Sequence, residues 1–455
     1  MKKVLAIVIC FVMILTTFMS CDSAVLPNET DTDGETQNGN GAGNQETQGT
    51  GKTDETNEID ETNKTDDTDK VTETETEAGP RGFYETYYVD PDSVKITDKD
   101  RNAKNLIFIY LESMETTYTL ESLGGSQTNV NYIPNLLSLA NANISFSDSD
   151  GLGGFHSING TGWTMGALLG TTSGIPFSLE VFGENSHNKQ GRDGTFINGA
   201  TTLGDVLHDK GYVQEFLCGS DAAFGGRKTY FTVHGGYEIF DLFTARKKGY
   251  VPSDYHNGWW GYEDEILYEI AKDEITRLAK GDKPFNFTML TVDTHRPSGY
   301  KCNLCKKKYP YNSANVVDCA DAQIGSFIEW CKKQDFYKDT TIVIIGDHPR
   351  MDKNLVSTAD MYDRTIYNCI INSVVEPKGG TQNRTFTSLD IFPTTLAAMG
   401  FEIEGDRLAL GTNIFSTKPT LCEENAAGKA GYDWLEAEAS KYSEYYKKKF
   451  VDNKD

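Results

Sequence analysis

Three runs of large apolar residues in this chain each end in acid, hydroxyl or imidazole side chains. The runs are NLIFIYLES at 105–113, FNFTMLTVDTH at 285–295 and TTIVIIGDH at 340–348. Continuous apolar runs of this length indicate strands buried on both faces, which occur in parallel sheets covered by helices. This restricts the chain to a small group of architectures, because such a sheet needs a helix between successive strands.

The segments between these runs supply the helices. Helical spacing is found at 132–143, 201–212, 264–280 and 313–334 and from residue 389, with further strands at 213–219 and 365–374. Strands that alternate with helices predict an α/β fold, with a central, mostly parallel sheet and helices on both faces, hence three layers.

The polar ends of the three strands are expected to form one site. Glu112, His295 and the pair Asp347–His348 each follow an apolar run. In open α/β sheets the carboxyl ends of the strands form the crevice that binds ligands. Asp347 and His348 place a carboxylate and an imidazole together, which suits Mn²⁺ or Zn²⁺, and an ion pair at a strand end is the alternative.

The stretch NGTGWTMGALLGTTSGIPF at 159–177 places Thr164 on a glycine-flanked turn ahead of a short helix. A hydroxyl in such a position can approach a metal, which lowers its pKa and makes it a nucleophile. The helix amino terminus favours a phosphate group there. A threonine that only caps the helix is the alternative from this stretch alone.

The first eighty residues are expected to lie outside the folded domain. MKK precedes an apolar run of fifteen residues that ends in FMSC. This resembles a bacterial lipoprotein signal over 1–21, cleaved before Cys21, and an uncleaved anchor is the alternative. Residues 22–80 contain seventeen acidic residues, three lysines and no aromatic residue, which predicts a disordered linker. Nothing in the chain, whose net charge is −24, indicates a nucleic-acid-binding face.

The remaining seven cysteines fit an extracytoplasmic protein. Cys302 and Cys305 form a CxxC motif, but a zinc ribbon needs a second such motif, which the chain lacks. We therefore expect a disulfide from Cys302 or Cys305 to Cys319.

Several motifs together resemble one protein group. They are FIYLES, GTGWTMGALLGTTSGIP, FGGRKTYF, LTVDTHRPSGYKCNLC, DCADAQIGSFIEW, IIGDHPRM and LDIFPTTLAAMG. In this order they resemble the sulfatase-like branch of the alkaline phosphatase superfamily, over roughly residues 104–416. The chain looks most like the extracellular domains of lipoteichoic acid synthases and, more closely, of phosphoglycerol transferases that decorate periplasmic glucans. The resemblance implies an alkaline-phosphatase-like catalytic domain over 81–455, with a helical C-terminal tail.

The resemblance also implies roles for individual residues. One divalent metal, with Mn²⁺ preferred over Zn²⁺ or Mg²⁺, would be bound by Glu112, Thr164, Asp347 and His348, with Thr164 as the nucleophile. Arg227 and His295 would contact the substrate. The alternatives are that Arg227 is a surface arginine and that His295 is a histidine at a strand end with its hydrogen bonds satisfied.

The chain departs from some relatives. No C/S-x-P/A-x-R motif surrounds Thr164, which argues against a true sulfatase, and no histidine follows His348, which favours one metal over two. Lipoteichoic acid synthases carry a tryptophan where this chain has Gly225.

Together these features predict a phosphoglycerol transferase anchored by lipid outside the cytoplasmic membrane. Phosphatidylglycerol would be the donor, and a glycan or polyglycerolphosphate hydroxyl the acceptor. Two alternatives stay open: a phosphoethanolamine transferase or phosphodiesterase of the same superfamily, and a lipoprotein that binds glycan or lipid without turnover.

Overall fold

A computed structural model describes residues 81–98, 103–183, 185–352, 355–356, 364–426 and 428–453. The signal expected at 1–21 and the linker expected at 22–80 lie outside these residues. No helix within the described ranges has the length and hydropathy that a bilayer span requires.

The secondary structure alternates between strands and helices. The strands are β1 Ile96–Asp98, β2 Asn105–Leu111, β3 Val213–Cys218, β4 Glu238–Phe240, β5 Phe285–Leu290, β6 Thr340–Gly346, β7 Asn368–Ile371, β8 Phe401–Ile403, β9 Arg407–Leu408 and β10 Gly411–Thr412. The helices are α1 Phe83–Tyr87, α2 Pro134–Ala142, α3 Thr164–Ser173, α4 Leu179–Phe182, α5 Leu203–Asp209, α6 Arg227–Val233, α7 Leu242–Lys248, α8 Asp264–Ala279, α9 Asn312–Cys331, α10 Ile391–Met399, α11 Leu421–Asn425, α12 Lys429–Ala439 and α13 Glu444–Tyr446.

Six strands form the central sheet, in the order β4-β3-β5-β2-β6-β7. All neighbouring pairs are parallel except β6 and β7, which run antiparallel at one edge. The two small remaining sheets are antiparallel pairs, β1 with β8 and β9 with β10. The predicted mostly parallel sheet is confirmed.

The residues of β2 alternate between two hydrophobic cores, one on each face of the sheet. Phe108 and Tyr110 pack into a core that also contains residues of α3, α5, α6 and α10. Ile107 and Ile109 pack into a second core, with residues of α2, α8 and α9. Because successive side chains of a strand point to opposite faces, the apolar run at 105–111 fills both cores. The predicted three-layer arrangement is therefore confirmed.

The C-terminal helices pack on the first of these cores. Tyr432, Leu435 and Tyr446 are buried there, and the Tyr84 hydroxyl of α1 donates a hydrogen bond to the Ala439 carbonyl at 3.2 Å. The C-terminal helices that the structure describes therefore pack against the rest of the chain.

One strand end differs from the sequence prediction in a way that moves a site residue, and the strand expected at 365–374 is shorter, at Asn368–Ile371. The strand expected at 285–295 ends at Leu290, so His295 lies on the loop that follows rather than at the strand end. The Thr291 N–H still donates to the Tyr110 carbonyl of β2 at 3.0 Å, but the Val292 N–H donates to Asp264 at 2.8 Å, so the pairing with β2 ends there.

Candidate metal centre and cavity

The pairing of β2 with β6 brings two carboxylates together. Leu111 lies opposite Gly346, so Glu112 and Asp347 follow at the same edge of the sheet. A methyl group on Gly346 would lie 1.9 Å from the Met114 carbonyl oxygen, so only glycine permits this close approach.

Ser113 connects the two carboxylates. It has a positive φ of 52°, which is uncommon for a residue with a side chain. Its N–H donates to Asp347 Oδ1 at 2.7 Å, and its hydroxyl donates to Glu112 Oε1 at 2.6 Å. The strained backbone of Ser113 thus holds both acids in one orientation.

His348 turns one ring nitrogen towards these acids. Its Nδ1 lies 2.9 Å from the Pro349 carbonyl, which accepts only from a protonated nitrogen. Nε2 therefore carries the free lone pair of the neutral ring, 3.4 Å from Asp347 Oδ2 and 3.8 Å from Glu112 Oε1. A backbone carbonyl that fixes the tautomer in this way is typical of metal-binding histidines.

Burial and mutual interactions shift the pKa values of Asp347, Glu112 and His348. Burial and then the charge of Glu112 raise the pKa of Asp347 to about 7. Burial opposes ionisation of Glu112, but His348 and His295 bring the pKa of this carboxyl below its usual value. Burial likewise opposes protonation of His348, but Asp347 and Glu112 raise its pKa overall. Two buried acids beside one imidazole form an environment that a cation would stabilise.

The donor atoms fit a divalent cation. One ligand atom from each of Glu112, Asp347 and His348 lies within 4.8 Å of the others. Asp347 Oδ2 is buried and accepts no hydrogen bond from any described residue, as expected for an atom that faces a cation. Carboxylate oxygens with one imidazole nitrogen suit Mn²⁺ and Zn²⁺.

Thr164 is the first residue of α3 and faces this group. Its hydroxyl oxygen lies 3.4 Å from Glu112 Oε2 and 3.5 Å from His348 Nε2. The capping position belongs to Trp163, and no side chain caps this helix. The alternative of a helix-capping threonine is therefore wrong. Gly166 permits the tight turn, since a methyl group there would lie 2.5 Å from the Gly160 carbonyl oxygen.

A cavity of about 350 Å³ opens over the Thr164 hydroxyl. Its lining includes five site residues expected from the sequence, each from a different segment of the chain: Glu112, Thr164, Arg227, His295 and His348. Asp347 does not line the cavity but lies buried beside Glu112 and His348.

Arg227 presents a positive charge to the cavity. Its Nε donates to the Phe224 carbonyl at 3.0 Å, and Nη2 donates to the Asp221 carbonyl at 2.9 Å. Arg227 is only 8% exposed, so the alternative of a surface arginine is wrong. Gly225 also lines the cavity, with a φ of 68° that disfavours the tryptophan of lipoteichoic acid synthases.

His295 is oriented by a loop that the sequence analysis did not identify. Its Nδ1 lies 2.8 Å from the Arg296 carbonyl, and its ring packs on Trp260 with 4.7 Å between the centroids. The buried Arg350 holds this loop, because Nη1 and Nη2 donate to the carbonyls of Thr294 at 3.0 Å and Pro297 at 2.9 Å. Arg350 belongs to the motif IIGDHPRM, but the motif does not reveal this contact. The carbonyls that Arg350 binds lie more than fifty residues earlier in the chain.

The mouth of the cavity is apolar. Phe224, Trp260 and Met351 all line it and are 45%, 43% and 50% exposed. Phe224 and Trp260 contact each other, with 5.6 Å between their ring centroids. Several large apolar side chains exposed side by side indicate a binding surface, whereas a single exposed apolar residue does not.

Comparisons with known proteins agree with this architecture. The family model described as Sulfatase matches residues 104–401. Phosphoglycerol transferase I of Xanthomonas euvesicatoria pv. vesicatoria is 29% identical over 311 residues, which are 66% of this chain and 42% of that protein. This chain thus spans about two fifths of the length of that relative.

Two solved structures share the fold. A protein of the alkaline phosphatase superfamily from Vibrio parahaemolyticus has a TM-score of 0.52 and 25% identity, with 72% of each chain covered. The lipoteichoic acid synthase LtaP from Listeria monocytogenes has a TM-score of 0.54 and 19% identity, with 71% of this chain and 79% of that chain covered. The alkaline-phosphatase-like fold expected from the sequence is confirmed.

Proposed function

This chain belongs to the sulfatase family, and on that premise we propose that it transfers phosphoglycerol outside the cytoplasm through a covalent phosphothreonine. The observation that carries the proposal is the position of Thr164. Its hydroxyl begins a helix, lies 3.4 Å from Glu112 and 3.5 Å from His348, and faces a cavity that also contains Arg227 and His295. A binding protein without turnover has no need of a hydroxyl in this position.

The cavity favours a phosphate group. Arg227 and the amino terminus of α3 both direct positive charge into it, in a chain whose net charge is −24. Arginine binds phosphate through charge-assisted hydrogen bonds, and the first amides of a helix have no partner within the helix. Sulfate shares this charge, but the chain lacks the motif that becomes formylglycine in sulfatases.

We assign one divalent cation, Mn²⁺ by preference, to Glu112, Asp347, His348 and Thr164. When bound, it would supply Lewis-acid charge that lowers the pKa of the Thr164 hydroxyl and offsets the charge of the phosphate. The ligands come from two strand ends and one helix start, which hold them without the cation.

In the first half-reaction, Thr164 Oγ1 releases its proton to water and forms a bond to phosphorus, while the bond from phosphorus to the diacylglycerol oxygen breaks. His295 donates a proton from Nε2 to that oxygen, because Nδ1 is engaged by the Arg296 carbonyl. Arg227 holds the phosphate oxygens during the displacement. Diacylglycerol leaves, and glycerophosphate remains on Thr164.

In the second half-reaction, an acceptor hydroxyl attacks phosphorus and the bond to Thr164 breaks. His295 Nε2 accepts the proton of the acceptor, and the Thr164 oxygen regains a proton from water. The acceptor we propose is a hydroxyl of a glycan or of a glycerolphosphate chain; water in its place would make the enzyme a phosphodiesterase.

The apolar mouth supports a lipid donor. Phe224, Trp260 and Met351 offer exposed apolar surface beside the polar site, which suits a molecule with acyl chains next to a phosphate. Phosphatidylglycerol has this structure. We further propose that a lipid on Cys21 anchors the protein to the membrane that contains this donor, with residues 22–80 as the tether.

Mass spectrometry of the protein after incubation with phosphatidylglycerol and Mn²⁺ tests the function. We expect a glycerophosphate adduct on the peptide that contains Thr164, together with released diacylglycerol. Phosphatidylethanolamine serves as the matched donor. An adduct from that lipid alone would identify a phosphoethanolamine transferase, and the absence of any adduct and of diacylglycerol release with both lipids would contradict the proposal.

Arg227→Gln is expected to weaken donor use while the cation stays bound. The variant removes the charge but keeps a side chain of similar length, so we expect kcat/KM to fall about 100-fold, as for loss of a hydrogen bond to a charged group. The measurement is diacylglycerol release against donor concentration, with metal content determined in parallel. Arg192→Gln, in an exposed segment outside the cavity lining, is the control. Unchanged kcat/KM in Arg227→Gln would remove this residue from the donor site.

A further inference from the structure

Three thiols lie together away from the cavity. Cys302 and Cys305 belong to the loop between β5 and α9, and Cys319 belongs to α9. Cys302 Sγ lies 3.6 Å from Cys305 Sγ and 3.8 Å from Cys319 Sγ. Cys302 and Cys319 are buried and Cys305 is half-buried, and all three are free thiols. We call these residues the thiol triad.

The separations match those of sulfur ligands on one metal ion. Zinc binds cysteine sulfur at about 2.3 Å in tetrahedral geometry, which places neighbouring sulfurs roughly 3.8 Å apart. A disulfide needs a sulfur separation of about 2.05 Å and uses only two of the three residues. The sequence analysis expected such a disulfide because it found no second CxxC motif. In the structure, Cys319 on α9 lies beside the CxxC motif, so that three sulfurs lie together rather than two.

Gln323 directs its side-chain amide towards two sulfurs of the thiol triad. Its Nε2 donates to Cys319 Sγ at 3.6 Å and to Cys302 Sγ at 3.8 Å. Amide donors to a thiolate sulfur are outer-shell contacts of the kind that tune metal sites.

We infer that Cys302, Cys305 and Cys319 bind a second, thiophilic cation, Zn²⁺, separate from the group formed by Glu112, Asp347 and His348. Soft thiolate ligands select zinc, whereas the oxygen-rich group beside Thr164 also suits harder cations. Cys319 borders a surface cleft with Leu304 and Lys308, so a water molecule can reach the fourth position. The cation would join the loop after His295 to α9 and thereby position that loop.

Metal binding to the full chain, purified under reducing conditions, tests the inference. We expect Co²⁺ alone to produce a thiolate-to-cobalt charge-transfer absorption, and Zn²⁺ to displace it with a stoichiometry of one. In Cys302→Ser and Cys305→Ser this absorption should disappear, and the Kd for Zn²⁺ at this site should rise more than about 100-fold, beyond the effect of losing an outer-shell partner. Cys305 is half-buried, so its variant should fold even where Cys302→Ser does not.

Two controls separate this site from the others. Cys331→Ala, on the same helix but outside the thiol triad, should keep the cobalt absorption. Asp347→Asn should also keep it, because that group contains no sulfur, so failure of the proposed transfer activity leaves this result unaffected. Absence of a cobalt–thiolate absorption in the folded wild-type protein would overturn the inference. Protein isolated without reductant that contains a disulfide within the triad and no zinc would overturn it as well.

Discussion

Replacing Thr164 with alanine is expected to abolish transfer, by about 10⁴-fold or more, because no other described residue offers a hydroxyl to both Glu112 and His348. The free energy of unfolding should change by less than about 1 kcal/mol, since the side chain is half-buried and does not cap α3. The two effects separate a chemical role from a structural one. Diacylglycerol release from phosphatidylglycerol and chemical denaturation measure them on the same preparation.

Thr164→Ser is the matched control for this prediction. It keeps the hydroxyl, so we expect reduced but measurable transfer and a glycerophosphate adduct on the serine peptide. Thr161→Ser tests the same change nearby, because Thr161 is buried and bonds only within its own turn and to Ser388. If Thr164→Ala still released diacylglycerol near the wild-type rate, the nucleophile would have to be another residue.

Asp347→Asn is expected to remove the cation and the activity together. Asparagine keeps the oxygen that accepts from the Ser113 and His348 amides at 2.7 and 2.8 Å, but it replaces the anionic Oδ2 that accepts no hydrogen bond. Without metal, the variant should be at least as stable to unfolding as the metal-free wild type, because one buried negative charge beside Glu112 is gone. The wild type should gain about 2.7 kcal/mol at a cation concentration one hundred times Kd, and the variant should gain almost nothing.

Thermal unfolding with and without Mn²⁺, together with metal content, checks this prediction. Asp390→Asn is the matched control, since Asp390 is also a buried carboxylate but accepts from the Thr387 and Thr412 amides at 2.8 Å. That variant should lose stability and keep the cation-dependent increase in melting temperature. An equal increase in Asp347→Asn and the wild type would show that the cation binds elsewhere.

The sequence contained enough information for the sheet and for the position of the candidate site. Strands buried on both faces must be apolar throughout, so their polar ends stand out and indicate which edge of the sheet carries that candidate site. Glu112, Asp347 and His348 could be found in this way because each directly follows a strand. Thr164 and Arg227 needed the family resemblance, since a threonine at a helix start and an arginine after glycines are common in other settings.

Other features depend on backbone geometry that no side-chain pattern encodes. Ser113 adopts a positive φ, although nothing in LES distinguishes it from an ordinary turn. Arg350 binds two carbonyl oxygens, which every residue type offers. The thiol triad combines a loop and a helix, and spacing along the chain did not predict that Cys319 would meet both residues of the CxxC motif.

The contact between Ser113 and Asp347 also has a consequence for how the protein matures. It joins residues 234 positions apart, across a parallel pair of strands. Such distant pairings are slow to form, because a long loop must close before the contact stabilises anything. A chain that emerges amino terminus first therefore brings Glu112 and Asp347 together only when β6 docks beside β2. The proposed cation site is then a product of completed folding, and we expect a chain truncated before β6 to lack transfer activity.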